Sequence, residues 1–461
     1  MEERPLKFVA AACAAEIRRG PAETLVKNVC TDSRQAKAGD LFFAIKGERF
    51  DGHEFLDQAA AGGVAASVVE KNKIPAPPPD CALLVVDNAR IALGKLAAVY
   101  RKDFLLLVIA VGGSNGKTTT KELLASVLGQ KLKALSSEAS FNNDIGVPLT
   151  LLRLEKSHQA AVLEAGTNHP GELAPLVNMI QPKFGVLTNV GREHLEFFGD
   201  VAGVAQEEGW LAELLPADGK LFINGDNEWT EQVAKRTRAK IVRVGLDKKN
   251  DWRGGKIRLD KNGVTFWVEA PQAEHVGEYR ISLLGRHQVM NALLAVAVGA
   301  ELGLGRAEIQ RGLADCQPPE MRLQFWESGG VRVLDDAYNA NTDSTIAALE
   351  TLCDLPLQGR RVAVLGDMEE LGAHSEAAHA EVGRRAAELG IGQLFTVGQM
   401  SAVTAQAARG AGLARVIEFA DVESAVRAIK NFLKPGDVVL LKASRASRLE
   451  RIAGTLKSEK S

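Results

Sequence analysis

Apolar residues recur along this chain at two spacings, and the order in which the spacings alternate predicts its architecture. Residues 6 to 19 read at helical spacing as an amphipathic helix. Short β-like runs follow at Asp40 to Ile45 and Ala65 to Val69, before a proline-rich turn from Ile74 to Pro79. From Asp103 short apolar runs and longer helical stretches alternate. An apolar run beginning at Leu105 breaks into Gly112, Gly113 and Gly116 and then into a Lys-Thr-Thr-Thr opening, which starts a helix reaching about Gly129. Ala161 to Leu163, Phe184 to Leu187 and Leu221 to Ile223 read as further strands, with a helix from Gly171. Such alternation predicts a mainly parallel sheet covered by helices on both faces, with ligands beyond the carboxyl ends of the strands. Between Arg253 and Leu283 the spacing changes to two around Lys261-Asn262-Gly263, a hairpin signal. Gly285 to Gly305 then reads as a helix of small apolar residues.

Cys316 to Glu320, with Pro318 and Pro319, reads as a linker. Beyond it strands are expected at Val331 to Leu334, Val362 to Leu365, Gln393 to Val397, Arg415 to Phe419 and Asp437 to Lys442. Helices are expected from about Ser344, Glu376 and Glu423 and after the last strand. The expected fold is α/β in three domains. Residues 1–102 form a small α/β domain, 103–316 a central parallel-sheet domain carrying the glycine loop, and 317–461 a Rossmann-like domain without a G-x-G-x-x-G opening of its own. The tail, Thr455 to Ser461, is expected to fray.

Composition removes several classes of function. An apolar share of 46% with 25% charged residues belongs to an ordinary globular chain. Fifty-six basic against fifty-eight acidic side chains give a formal charge of −2, so no global field attracts nucleic acid or an anionic membrane. The five cysteines, Cys13, Cys30, Cys81, Cys316 and Cys353, are scattered and form no C-x-x-C. Neither a disulfide framework nor a zinc knuckle is indicated, and a reducing cytoplasm is expected. No run approaches the ~20 apolar residues of a membrane span, so neither a signal peptide nor stable membrane insertion is expected. A monomer is expected.

The stretch Leu105 to Glu122 carries the chemistry. A strand feeding a glycine-rich turn feeding a helix is a phosphate-binding device, because glycines let backbone N–H groups point inward and the helix adds its positive end. Lys117 is placed to reach the β- and γ-phosphates and the Thr118 hydroxyl to ligate Mg²⁺. Val111 stands where a Walker loop has its first glycine, leaving the shorter G-x-x-G-K-T from Gly113 to Thr118. Three more polar clusters follow apolar runs, at Glu164 to Gly171, Thr188 to His194 and Asn224 to Asn227. In the N-terminal domain Thr31-Asp32-Ser33-Arg34, Gly39-Asp40 and Asp51-Gly52-His53 suit either a sugar nucleotide or plain turn chemistry.

The short loop resembles that of the Mur ligase and folylpolyglutamate synthase superfamily. Five stretches in order are similar to Mur ligases of the MurF type: Thr31 to Phe55, GGSNGKTTTKE, Asn142 to Leu152, Leu163 to Glu172, and DDAYNANTDS from Asp335 to Ser344. About a hundred residues precede the loop, unlike the pattern in folylpolyglutamate synthases. The chain also lacks the Asp-Asn-Pro-Arg string of MurE-type ligases and carries instead Val364 to His379 and Leu440 to Arg445. The resemblance implies an ATP-dependent, Mg²⁺-dependent ligase that adds D-alanyl-D-alanine to UDP-N-acetylmuramoyl-tripeptide, with domains for UDP-sugar peptide, ATP and dipeptide. A carboxylate is a poor electrophile, so this chemistry activates it as an acyl phosphate. Two anions must then be held in line by a lysine and metal ions.

The resemblance also implies roles for single residues. Gly113, Ser114, Asn115, Gly116, Lys117, Thr118 and Thr119 hold the phosphates, and Thr118, Glu164 and His194 ligate metal. Arg322 reaches the γ-phosphate, while Asp336, Tyr338 and Asn339 touch the nucleotide, with Asn291 and His287 at the adenine. Ser33, Arg34, Asp51, His53, Asn142 and Asn143 serve the UDP substrate, and Ser444 and Arg445 the dipeptide pocket. Two positions depart from the pattern: Thr342 stands for a proline and Ala443 for a glycine, which loosens one loop and restricts another. A third is Glu208, which occupies the place of a lysine that Mur ligases carbamylate, with Trp210 in place of the family's glutamate. A carboxylate has the charge of a carbamate, so Glu208 is expected to be catalytic as a built-in anion, although it is shorter by roughly 3–4 Å. The alternative is a solvated helix-face glutamate beside Glu207. Two further readings stay open, a nucleotide-gated binding protein without ligase activity and a ligase of the same family with another amine.

Overall fold

The computed structural model describes residues 1–73, 81–356 and 358–457. The proline-rich turn expected at Ile74 to Pro79 and the end of the tail lie outside the described residues. Thr455 to Lys457 are not frayed but close the last helix, Glu450–Lys457.

Three sheets organise the chain. In the N-terminal one, Val29–Cys30, Leu41–Phe43, Ala66–Glu70 and Ala82–Val86 run parallel, and Glu16–Arg19 joins Ala82–Val86 antiparallel at the edge. This corrects the single helix expected over residues 6 to 19. The helix Leu6–Cys13 ends where Ala14 turns left-handed at φ 53°, and Glu16–Arg19 then alternates between exposed and half-buried positions as a strand does. A helical reading absorbed those four residues because both periods fit so short a run.

The central sheet has nine strands. Ala134–Ser136, Ala160–Glu164, Leu107–Gly112, Phe184–Leu187, Lys220–Asn224, Lys240–Gly245 and Trp252–Asp260 are parallel in that order, and Gly263–Glu269 and Gly277–Ile281 fold back antiparallel. The strand that feeds the glycine loop thus lies between Ala160–Glu164 and Phe184–Leu187, where the strand order reverses. Ligands of open α/β sheets bind at this position. The helix Gln288–Glu301, buried almost all round through its small side chains, packs against the loop helix Lys117–Leu128.

The third sheet is parallel through Val331–Asp336, Val438–Lys442, Arg361–Gly366, Gln393–Val397 and Val416–Phe419, with Gln324–Ser328 antiparallel on its edge. The two sheets beside the central one are attached to it differently. Leu93, Leu96 and Tyr100 of the N-terminal unit share one buried apolar cluster with Val108, Leu163 and Leu176 of the central unit. Among the described residues the C-terminal unit takes only Leu284 and Leu259 of the central unit into its apolar cluster and otherwise meets it through polar groups. Arg192 donates to Asp343 and Glu381, Asn341 to Asn115, and the His374 ring to the Gly199 carbonyl. Among the described residues no helix is long and apolar enough to cross a membrane.

Candidate active site

The carboxyl ends of the central strands and the facing loops of the C-terminal sheet enclose a cleft of about 710 Å³. The glycine loop forms its floor. Gly113 and Gly116 take φ of +110° and +84°, and a Cβ would lie 2.4 Å from the Thr188 hydroxyl at Gly113 and 2.5 Å from the Asn291 side-chain oxygen at Gly116. Only glycine fits both the backbone and the space.

The segment 188–191 braces this loop. The Ser114 and Asn115 N–H groups donate to the Asn189 carbonyl (2.9 Å) and side-chain oxygen (2.8 Å), and Gly113 N–H donates to Glu208 Oε2 at 2.7 Å. These N–H groups, expected at the phosphates, are engaged within the protein. The anion-facing donors are therefore those at the opening of the Lys117–Leu128 helix, which lack intrahelical acceptors.

Lys117 bends back over the loop. Its ammonium donates to the carbonyls of Gly113 (2.5 Å) and Ser114 (3.2 Å) and to Glu193 Oε2 at 3.3 Å. Burial works against its charge, but Glu193, Glu208 and Glu164 outweigh burial and hold its pKa above the ordinary lysine value. Around it lie buried polar atoms without partners: Thr118 Oγ1, Glu164 Oε2, Glu193 Oε1 and Glu208 Oε1. The other Glu164 oxygen accepts from the Asn142 amide at 2.8 Å. Oxygen donors of this kind fit Mg²⁺. Among the described residues no three His, Cys, Asp or Glu side chains close into a cage.

Glu208 is neither solvated nor on an outer face. It is fully buried at the loop, and Glu207 is buried too, accepting from Gly171 N–H and Leu173 N–H. Burial pushes the Glu208 carboxyl above the usual range, while Lys117 and the Gly113 N–H pull it down.

The opposite wall comes from the C-terminal unit. Arg322 stacks 4.3 Å over the Tyr338 ring, whose hydroxyl is hydrogen-bonded to Ser140 across the cleft. Lys442 contacts Asp336 at 2.7 Å and donates to the Asn339 carbonyl. Burial pushes both partners of this pair toward their neutral forms and their attraction opposes it. Ser444 accepts from Glu369 N–H, and Arg445 lies beside Met321. His194, left-handed at φ 48°, pairs through Nδ1 with Glu370, and this contact holds the Glu370 carboxyl below its ordinary range. Asn291 and His287 stand on the cleft wall.

The expected UDP-substrate residues lie apart from this cleft, except Asn142. Ser33 donates to Gln58, and Arg34 pairs with Asp32. His53 is committed inside its own domain: Nδ1 donates to Asp51 and Nε2 accepts from Glu70 N–H, so the ring has no nitrogen left for a ligand. Asn143 caps the helix Gly146–Leu151 by accepting from Ile145 and Gly146 N–H. His53 follows the turn chemistry that its motif left open. The departures at 342 and 443 are accommodated. Thr342 opens a helix whose Asn341 cap bonds reciprocally with Ser344, and Ala443 is not among the residues at positive φ.

The sequence matches three family descriptions in order: "Mur ligase family, catalytic domain" over residues 25–101, "Mur ligase middle domain" over 111–299, and "Mur ligase, glutamate ligase domain" over 321–445. It is 37% identical to the UDP-N-acetylmuramoyl-tripeptide–D-alanyl-D-alanine ligase of Escherichia coli, covering 94% of each chain. The chain belongs to the Mur ligase family. Among solved Mur ligases, MurF from Acinetobacter baumannii superposes with a TM-score of 0.89 at 32% identity, covering 99% of this chain and 100% of that one. MurF from Thermotoga maritima, solved with ADP, gives 0.81 at 28% identity over 94% and 97%.

Sequence reasoning named Ser114 to Thr119, Glu164, His194, Arg322, Asp336, Tyr338 and Asn339, all of which the structure brings to the cleft. It missed Glu193, Asn189, Glu370 and Lys442. Glu193 sat beside His194 in a cluster already singled out, and Lys442 and Glu370 lay inside quoted motifs. No local pattern shows which of several polar neighbours turns inward.

Proposed function

We propose that this Mur ligase joins D-alanyl-D-alanine to UDP-N-acetylmuramoyl-tripeptide in the cytoplasm, driven by ATP hydrolysis through an acyl phosphate. The observation that carries the reading is one cleft with a phosphate loop, Lys117 and orphaned oxygens on one wall and Arg322, Asp336 and Ser444 on the other. Residues 1–102 are assigned to the UDP substrate, with Ser33 and Arg34 at its surface and Asp51 and His53 shaping the loop beside them. Residues 103–316 are assigned to ATP, and 317–461 to the dipeptide.

The helix opening at Gly116 to Thr119 receives the phosphates and Lys117 swings onto them. Thr118, Glu164 and His194 would hold Mg²⁺, which neutralises phosphate charge and orients the transferring group. Asn142 orients Glu164. Glu208 stands at the base of the loop in place of a carbamylated lysine; burial pushes its carboxyl up to about 8, and Lys117 together with bound Mg²⁺ would hold it as an anion. Arg322, Tyr338 and Asp336 position the nucleotide from the C-terminal side, and Ser444 and Arg445 orient the dipeptide so that its amine meets the activated carbonyl.

A phosphate-release screen tests the reading by pairing UDP-muramoyl peptides with D-alanyl-D-alanine and other amines. Release should require ATP, Mg²⁺, the tripeptide substrate and D-alanyl-D-alanine together. Release with no amine dependence would contradict it in favour of a nucleotide-gated binding protein. Stronger stimulation by another amine would move the chain to a different substrate within the family.

A further inference from the structure

Glu193 is the residue in the cleft whose position the ligase reading does not explain. The segment that carries it is fixed from two sides. Gly191 N–H donates to the Ser114 hydroxyl at 2.8 Å, and Arg192 is held by Asp343 and Glu381 of the C-terminal unit. The carboxylate between them is turned inward and is only 5% exposed. One oxygen lies 3.3 Å from the Lys117 ammonium and 3.8 Å from His194 Nε2, and the other has no partner.

An ammonium has three protons, and Lys117 directs its own at Glu193 and at two carbonyls of its own loop. Phosphates arriving at the helix opening must take Lys117 from that carboxylate. Glu193 would then stand buried without its lysine beside Glu208, an arrangement that a proton or a second cation relieves. The unpartnered Glu193 oxygen offers such a cation one ligand, with phosphate and water to complete its shell.

We propose that Glu193 is an exchange ligand: it holds Lys117 in the empty cleft and a divalent cation once nucleotide phosphates have drawn Lys117 away, so that nucleotide enters only as its metal complex. The role rests on the ATP-binding reading of the cleft and adds to it the coupling between metal and nucleotide.

The test is ADP binding to the full chain by calorimetry with and without Mg²⁺, together with Mn²⁺ binding by electron paramagnetic resonance in the presence of ADP. The wild type should bind ADP far more tightly with Mg²⁺ than without. Glu193→Gln should bind metal-free ADP about tenfold more tightly than the wild type and Mn²⁺ about tenfold more weakly, the worth of one charge-assisted contact. Glu193→Ala should behave likewise and Glu193→Asp should keep the coupling, so the result does not hang on one variant folding. An unchanged Mg²⁺ dependence in Glu193→Gln and Glu193→Ala overturns the exchange alone. Failure of the wild type to bind ADP with Mg²⁺ overturns the ligase reading as well.

Discussion

At the scale of single residues the site is governed by charge held out of water. Lys117 faces Glu193, Glu208 and Glu164 at close quarters, so it neutralises its own pocket before it serves any substrate. Lys117→Ala should therefore abolish phosphate release and also lower stability by about 3 kcal/mol, since an unpaired buried carboxylate remains. Adding Glu193→Gln should recover most of the melting temperature and none of the turnover. UDP-substrate affinity, resting on other elements, should stay nearly intact in both variants. Glu208 makes the second residue-scale prediction. Glu208→Gln keeps its size and an oxygen for Gly113 N–H but loses the charge, and turnover should fall on the order of 10²-fold. Stripping CO₂ from the buffer should leave the wild type unaffected, whereas Glu208→Lys should regain activity only with bicarbonate. Full activity of Glu208→Gln would mean the anion is dispensable. The sequence pointed to Lys117 and Glu208 because each sits at a fixed offset from a motif. It could not point to Glu193, whose inward turn goes with Asp343 and Glu381, 151 and 189 residues further on, pinning Arg192.

At the scale of elements, compact apolar runs bounded by polar or glycine residues were legible, among them Phe184–Leu187, Gln393–Val397 and the helix Gln288–Glu301. The strands that escaped notice include Lys240–Gly245, inside the central sheet with its apolar run broken by Lys240 and Arg243, and two at sheet edges. Ala134–Ser136 and Gln324–Ser328 owe their strand state to a neighbour's hydrogen bonds rather than to their own pattern. Residues 16 to 19 went wrong for the same reason. The helix Thr342–Asp354 offers a test of element-level reasoning. Asn341 is extended and capped by Ser344, and Thr342 takes the first helical position, where the N–H has no intrahelical acceptor. Thr342→Pro should raise stability by about 0.4–1 kcal/mol in a urea melt by restricting the unfolded chain. A loss would show that the N–H at 342 is needed.

At the scale of the molecule, the two junctions differ in kind. The N-terminal unit is joined to the centre by a continuous apolar cluster, and the C-terminal unit by a small apolar contact at Leu284 and Leu259 and by ion pairs and hydrogen bonds around Arg192, Asn115 and His194. Polar junctions open more readily than shared cores, so the C-terminal unit is the one expected to swing. Arg322 travels with it. Arg322→Ala should reduce kcat far more than ATP affinity, and equal losses in both would mean that the arginine binds nucleotide without any closure. All of these roles presuppose that the cleft activates a carboxylate by phosphorylating it, and oxygen-isotope transfer tests that claim directly. UDP-N-acetylmuramoyl-tripeptide labelled with ¹⁸O in its terminal carboxylate is turned over with ATP and D-alanyl-D-alanine, and the released phosphate is weighed by mass spectrometry. A carboxylate oxygen that attacks the γ-phosphorus leaves with the phosphate when the amine displaces it, so each phosphate should carry one labelled oxygen. Unlabelled phosphate alongside amide formation would contradict the acyl-phosphate account.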